Sequence, residues 1–147
     1  MNLCGLLPLI QGMPSYRRLV EGLPDGNGQQ KLAVLDSAKP YLLASLHGDL
    51  RLTTLVITTG AEKAKQLYHE LLAWHGTPDM VLLFPGPDAL PYERLTSDLA
   101  TVRERLRTLA TLSQRNTAPL ILTSAQALMR KTIAAADFAS ACHTLKK

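Results

Sequence analysis

Cysteine is almost absent from this chain. The two present, Cys4 and Cys142, sit at opposite ends. They give neither a disulfide framework nor a metal-ligand spacing, which fits a reducing, cytoplasmic setting. Aromatic residues are scarce at 5%, so a core must be built from Leu, Ala, Val and Ile, and a run of aromatic stacking platforms for nucleic acid is excluded. No apolar stretch approaches the ~20 residues of a membrane span. Met1–Ile10 is apolar but lacks a basic lead and a small-residue cleavage site, so it does not read as a signal peptide. Four histidines, His47, His69, His75 and His143, show no zinc spacing. No G-x-S-x-G occurs, and no nucleophile stands beside a recognisable base.

What is present suits one domain. The chain has 147 residues, 46% hydrophobic and 19% charged, enough to bury a core and too apolar for global disorder. The net charge of +4 is uneven. Residues 1–93 sum to −2, whereas 94–131 carry seven basic and two acidic side chains, a net +5. Such a segment either meets an acidic partner or nucleic acid, or is a solvated helix face.

Residues 1–28 read as a helical lead-in broken into short pieces by Pro8 and Pro14, closed by the turn Pro24-Asp25-Gly26-Asn27-Gly28. From residue 31 to 147 strands and helices alternate. Leu32–Leu35, Leu52–Thr58, Val81–Phe84 and Leu120–Leu122 are expected strands. Helices are expected over Pro40–Leu46, over Ala61–Trp74 with the stripe Ala64, Leu67, Leu71 and Trp74, and from a Ser97 or Asp98 cap with Leu99, Val102, Leu106, Leu109 and Leu112 spaced by three and four. A short helix over Ser124–Arg130 follows, and one capped by Asp137 closes the chain. Continuous apolar strands alternating with helices predict an α/β fold of three layers, a mainly parallel sheet with helices on both faces.

In such folds ligands bind beyond the carboxyl ends of the strands. The first expected end runs into Asp36-Ser37-Ala38-Lys39-Pro40. A phosphate loop there would read G-x-x-x-x-G-K-[ST], with glycines that let backbone N–H groups converge and a hydroxyl for Mg²⁺. Lys39 is present, but both glycines are missing, and Pro40 stands where the hydroxyl belongs. The segment therefore reads as a plain strand-to-helix turn. Arg103 and Arg107, four apart, can share one helix face, whereas Arg105 cannot join them.

The block Phe84-Pro85-Gly86-Pro87-Asp88-Ala89-Leu90-Pro91-Tyr92-Glu93-Arg94-Leu95 resembles the F-P-x-x-[DE]-x-L-P-Y-E signature of the bacterial transcription-repair coupling factors. Arg103-Glu104-Arg105-Leu106, Leu109 and Leu122-Thr123-Ser124-Ala125-Gln126-Ala127-Leu128-Met129 continue it in order. Leu55-Val56-Ile57 and Gln66–Glu70 are similar to the first motor domain of UvrB. Only seven residues separate Phe84 from Tyr92, leaving no room for UvrB's DNA-gripping hairpin. The resemblance implies a UvrB-like module whose first domain is RecA-like with a degenerate phosphate loop. It implies a non-catalytic scaffold in nucleotide excision repair that supports UvrA recruitment and restrains an ATP- and Mg²⁺-dependent translocase motor. The motor, the contacts to RNA polymerase and DNA, and the UvrA-binding domain inserted after the equivalent of Ile133 would all lie outside this chain, which would then be a fragment. Asp88, Tyr92, Glu93, Arg94, Arg103 and Arg107 are the candidate interaction residues; no catalytic, cofactor-binding or metal residue is expected. Rival readings are an active helicase half-domain with Lys39 as phosphate lysine, and a nucleic-acid-binding module using residues 94–131.

Overall fold

The computed structural model describes residues 2–23, 29–86, 98–114 and 116–142. Three strands form its sheet: β1 (Thr54–Thr58), β2 (Val81–Phe84) and β3 (Leu120–Ser124). Their Val, Ile, Leu and Thr content suits a pleated, buried surface. All pairs are parallel and the order is β1-β3-β2. Leu120 faces both Thr54 and Val81, which sets the register of both ladders.

Helices α1 (Pro8–Gln11), α2 (Pro14–Gly22), α3 (Lys39–Leu50) and α4 (Ala61–Trp74) precede β2; α5 (Leu99–Leu112), α6 (Ala125–Leu128) and α7 (Ala135–Ala141) follow it. Connection geometry explains their sides. The chain steps two places across the sheet from β1 to β2 through α4, then one place back to β3 through α5. With right-handed crossovers, reversing direction puts the two helices on opposite faces. The result is an α/β fold with a parallel sheet, consistent with a RecA-like domain.

The strand period of two divides the core. Leu120, Leu122 and Val81 pack with Leu71 of α4 and Ala44 of α3 on one face. Ile121, Leu82 and Phe84 pack with Leu109 of α5 on the other. The expected α4 stripe is the buried one: Ala64 and Leu71 are buried, and Leu67 and Trp74 pack against the cluster. Pro8 and Pro14 each open a short helix, as the missing N–H allows. These pieces pack back on the domain. The Leu3 N–H donates to Ala73 O at 2.7 Å. The Tyr16 hydroxyl donates to Asp49 Oδ2 at 2.6 Å, and the Gln11 amide to Asp49 Oδ1 at 2.7 Å. Burial and the Asp49 charge hold the Tyr16 phenol above its ordinary range.

Three expectations need correction. Leu32–Leu35 forms no strand: Leu32 is 52% and Leu35 78% exposed. Its carbonyl groups find no ladder; Leu35 O instead accepts from the Ala38 N–H at 2.9 Å and starts the turn into α3. Among the described residues the sheet thus has three strands rather than four. The leucine stripe of α5 does not face the sheet squarely. Thr101 and Thr108 are its buried positions, whereas Leu99 is 84% exposed and only Leu109 joins the core. Asp137 lies within the first turn of α7, whose cap position is Ala134. The turn over residues 24–28, the Ser97 cap and the stretch of the last helix beyond Cys142 lie outside the described residues.

Candidate functional site

Asp36, Ser37 and Ala38 form one 3₁₀ turn leading directly into α3. The Lys39 ammonium is engaged by the Asp36 carboxylate, both groups being largely exposed. That partner, with a weaker pull from Lys63, holds the Asp36 carboxyl below its usual range. Pro40 is buried in the first turn of α3, and Ser37 is exposed. No strand leads into this segment, so it does not occupy the carboxyl end of a strand.

The carboxyl ends of β2 and β3 open instead on a crevice bordered by Pro85, Gly86 and Ser124, with Lys65, Glu104 and Arg130 at its sides. Its charges are of both signs. Asp88, Tyr92, Glu93 and Arg94, the centre of the signature block, lie outside the described residues. Of the candidate interaction residues, Arg103 and Arg107 are seen, both exposed on α5. Arg107 Nη2 stands 3.6 Å from Asp79 Oδ1, in an exposed pair of little energetic weight.

Arg105 turns the other way. Its Nη1 donates to Pro85 O at 2.6 Å, and its guanidinium lies 4.1 Å from the Phe84 ring centre. Burial pushes its pKa down. Beside it the Thr108 hydroxyl is bonded to Leu83 O at 3.2 Å and Glu104 O at 3.0 Å, and Thr123 donates to Phe84 O at 2.8 Å. This polar layer ties α5 to the end of β2. It explains why threonines and an arginine, rather than leucines, face the sheet there.

Sequence reasoning missed a second cluster. His47, near the end of α3, and His75, at the end of α4, are both buried. His47 Nδ1 lies 2.8 Å from His75 Nε2, and His47 Nε2 lies 2.8 Å from Ala118 O. The rings are 28 positions apart in sequence, and neither has a local motif to signal the contact. Among the described residues no group of three or more His, Cys, Asp or Glu could hold a metal ion. Nor is any helix long and apolar enough to cross a membrane.

The basic segment yields a prediction. Exposed arginines without an aromatic platform give charge-driven contact alone, so duplex or single-stranded DNA is expected to bind with Kd ~10⁻⁴–10⁻⁶ M and to be released by salt. Fluorescence anisotropy at two salt concentrations checks this; tight binding that survives high salt contradicts it.

The fold and these surfaces define an α/β domain of the parallel, doubly covered kind. No family profile matches the chain. Among curated proteins it is 30% identical over 128 residues to the transcription-repair-coupling factor of Myxococcus xanthus, covering 84% of this chain and 11% of that protein. It is 29% identical over 137 residues to the transcription-repair-coupling factors of Mycobacterium bovis and Mycobacterium tuberculosis, covering 87% of this chain and 10% of theirs. The chain therefore spans about a tenth of the length of the curated relatives it matches. The chain therefore belongs to the transcription-repair-coupling factor family, as the ordered sequence blocks led one to expect, and the similarity holds across most of its length.

Proposed function

We propose that the chain acts as a non-catalytic scaffold domain of a transcription-repair coupling factor in nucleotide excision repair. It would support the recruitment of UvrA and the restraint of an ATP-driven motor carried elsewhere in the same polypeptide. RNA polymerase and DNA would be met through other parts of that protein.

The observation that carries the non-catalytic reading is the Asp36–Pro40 segment. A nucleotide's phosphates need converging backbone N–H groups, a free cation and a hydroxyl for Mg²⁺. Here Lys39 is paired to Asp36, Pro40 supplies neither an N–H nor a hydroxyl, and no strand precedes the turn. These residues do not fit a nucleotide. Isothermal titration with Mg-ATP is therefore expected to show no binding, and micromolar affinity abolished by Lys39→Ala would overturn the reading.

The scaffold role is tested separately by UvrA capture. This chain alone is expected to retain UvrA far less than a longer polypeptide carrying the following domain, because interface affinity concentrates in a few buried anchors. Equal capture by both would move the recruiting surface into residues 1–147.

A further inference from the structure

The short helical pieces at the front of the chain are fastened to the ends of two longer helices. The Leu3 N–H donates to Ala73 O at 2.7 Å, on the last turn of α4. Gln11 and Tyr16 both donate to the Asp49 carboxylate, at 2.7 and 2.6 Å, on the last turn of α3. A further bond, from the Tyr41 hydroxyl to Leu6 O at 2.9 Å, lies nearer the start of α3. Apolar burial adds little to these fastenings. Tyr16 and Leu19 are the buried residues of α1 and α2, and Leu7 packs on the core from outside. A segment held this lightly opens at a lower free energy than the sheet.

The buried histidine pair stands behind both fastenings. His47 is two residues before Asp49, and His75 is two residues after Ala73. The contact of His47 Nδ1 with His75 Nε2, at 2.8 Å, therefore closes the gap between the same two helix ends that the N-terminal pieces span. Such a contact needs one donor and one acceptor. With both rings protonated, two N–H groups meet across it, and the rings must part. No counter-charge is at hand. Asp49 of α3 is taken by Gln11 and Tyr16, and Arg51 is exposed. Glu70 of α4 accepts from Gln66, and Asp79, beyond α4, is exposed beside Arg107. From the segment before β3 the group facing the pair is the neutral Ala118 O. Among the described residues no charged group beyond the two rings themselves acts on either histidine.

We propose that the His47–His75 contact is an acid-released clasp. It holds the ends of α3 and α4 at the spacing the N-terminal pieces span, and protonation of both rings parts those ends and frees residues 3–22 while the sheet stays folded. The coupling runs both ways. Docked pieces keep the rings together and oppose the second proton; freed pieces let it bind. This goes beyond the scaffold reading and does not depend on it.

Hydrogen exchange read by mass spectrometry on the full chain tests it. At pH 7.5 the amides of α2 are expected to be protected. At pH 5.5 their protection factors should fall at least about tenfold, while amides of β3 stay at least about tenfold better protected than those of α2. His75→Gln offers His47 an N–H donor and can turn its carbonyl to a protonated His47 instead, so it should keep α2 protected at pH 5.5. Circular dichroism shows whether this variant is folded. A second measurement stands without it: the ring signals of His47 and His75 are titrated by NMR in the parent and in Asp49→Ala, which unfastens the α3 end. The titration midpoints should move up in Asp49→Ala, whereas loss of a neighbouring carboxylate alone would move them down. Loss of protection in α2 and β3 together, at one common rate, would make the acid response global unfolding and overturn the proposal. Unchanged protection of α2 at pH 5.5 overturns it too, as does the same loss in His75→Gln as in the parent. So do midpoints that Asp49→Ala leaves in place or lowers.

Discussion

Leu122→Ala is expected to destabilise the domain by about 2–5 kcal/mol, the range for leucine truncation in a core that cannot collapse around the cavity. Leu122 sits in the central strand and is fully buried. It faces Val56 on one side and Leu83 on the other in the two ladders, and packs in the cluster with Leu71 of α4. Backbone bonds hold β3 on both edges, so the strand cannot move in to refill the space. Total stabilities of 5–15 kcal/mol make this a large fraction. Leu55→Ala is the control: a leucine on the neighbouring strand, half exposed, whose loss should cost about 1 kcal/mol or less, as surface substitutions do. Urea denaturation followed by Trp74 fluorescence measures both. A Leu122→Ala effect no larger than that of Leu55→Ala would mean the sheet is not the centre of the core.

That contrast also shows what a sequence can and cannot carry. The ladder in α4 was legible because Ala64, Leu67, Leu71 and Trp74 all point one way on a helix whose partner is a flat sheet. β1, β2 and β3 were legible because short apolar runs sit between helices at βαβ spacing. Leu32–Leu35 has the same local composition, but a strand exists only where an edge accepts it, and that depends on contacts far away in sequence. In α5 the period of leucines correctly gave a helix but not its rotation. Arg105 and Thr108 won the inward face because they bond the carbonyl oxygens at the end of β2, a partnership invisible before β2 is placed. At the candidate site, the missing glycines and Pro40 were legible directly. The engagement of Lys39 by Asp36, three residues away, is local but has no motif that announces it.

The buried histidine pair should make stability fall with acid. Ala118 O can only accept, so His47 Nε2 carries a hydrogen. In the neutral ring Nδ1 is then bare and accepts from Nε2–H of His75. His75 Nδ1 is bare in turn and accepts the Thr77 N–H at 3.1 Å. A first added proton fits at His75 Nδ1, where Thr77 O stands at 2.9 Å. A second would set two N–H groups head-on across the 2.8 Å between the rings. Burial pushes both pKa values below the ordinary 6.5. For His75 the charge of His47 adds to this, while the bonds to Ala118 and Thr77 only partly oppose it. The sign follows. Above 6.5 both rings are neutral folded or unfolded, and the contribution is fully present. As pH falls below 6.5 the unfolded chain binds protons that the folded chain refuses, and stability drops until the depressed folded values are reached. Each proton taken up on unfolding contributes a slope of about 1.4 kcal/mol per pH unit. Asp36, lowered from 3.8 and exposed, acts further down the scale than the histidine pair. Urea midpoints are therefore expected to be level from pH 8 to 7 and to fall between pH 6.5 and 5, with His75→Phe flattening the fall because one titrating ring is gone and His47 loses its neighbour. A parent protein whose midpoint stays level across that interval, or a variant that falls as steeply, would remove the pair from any role in acid sensitivity.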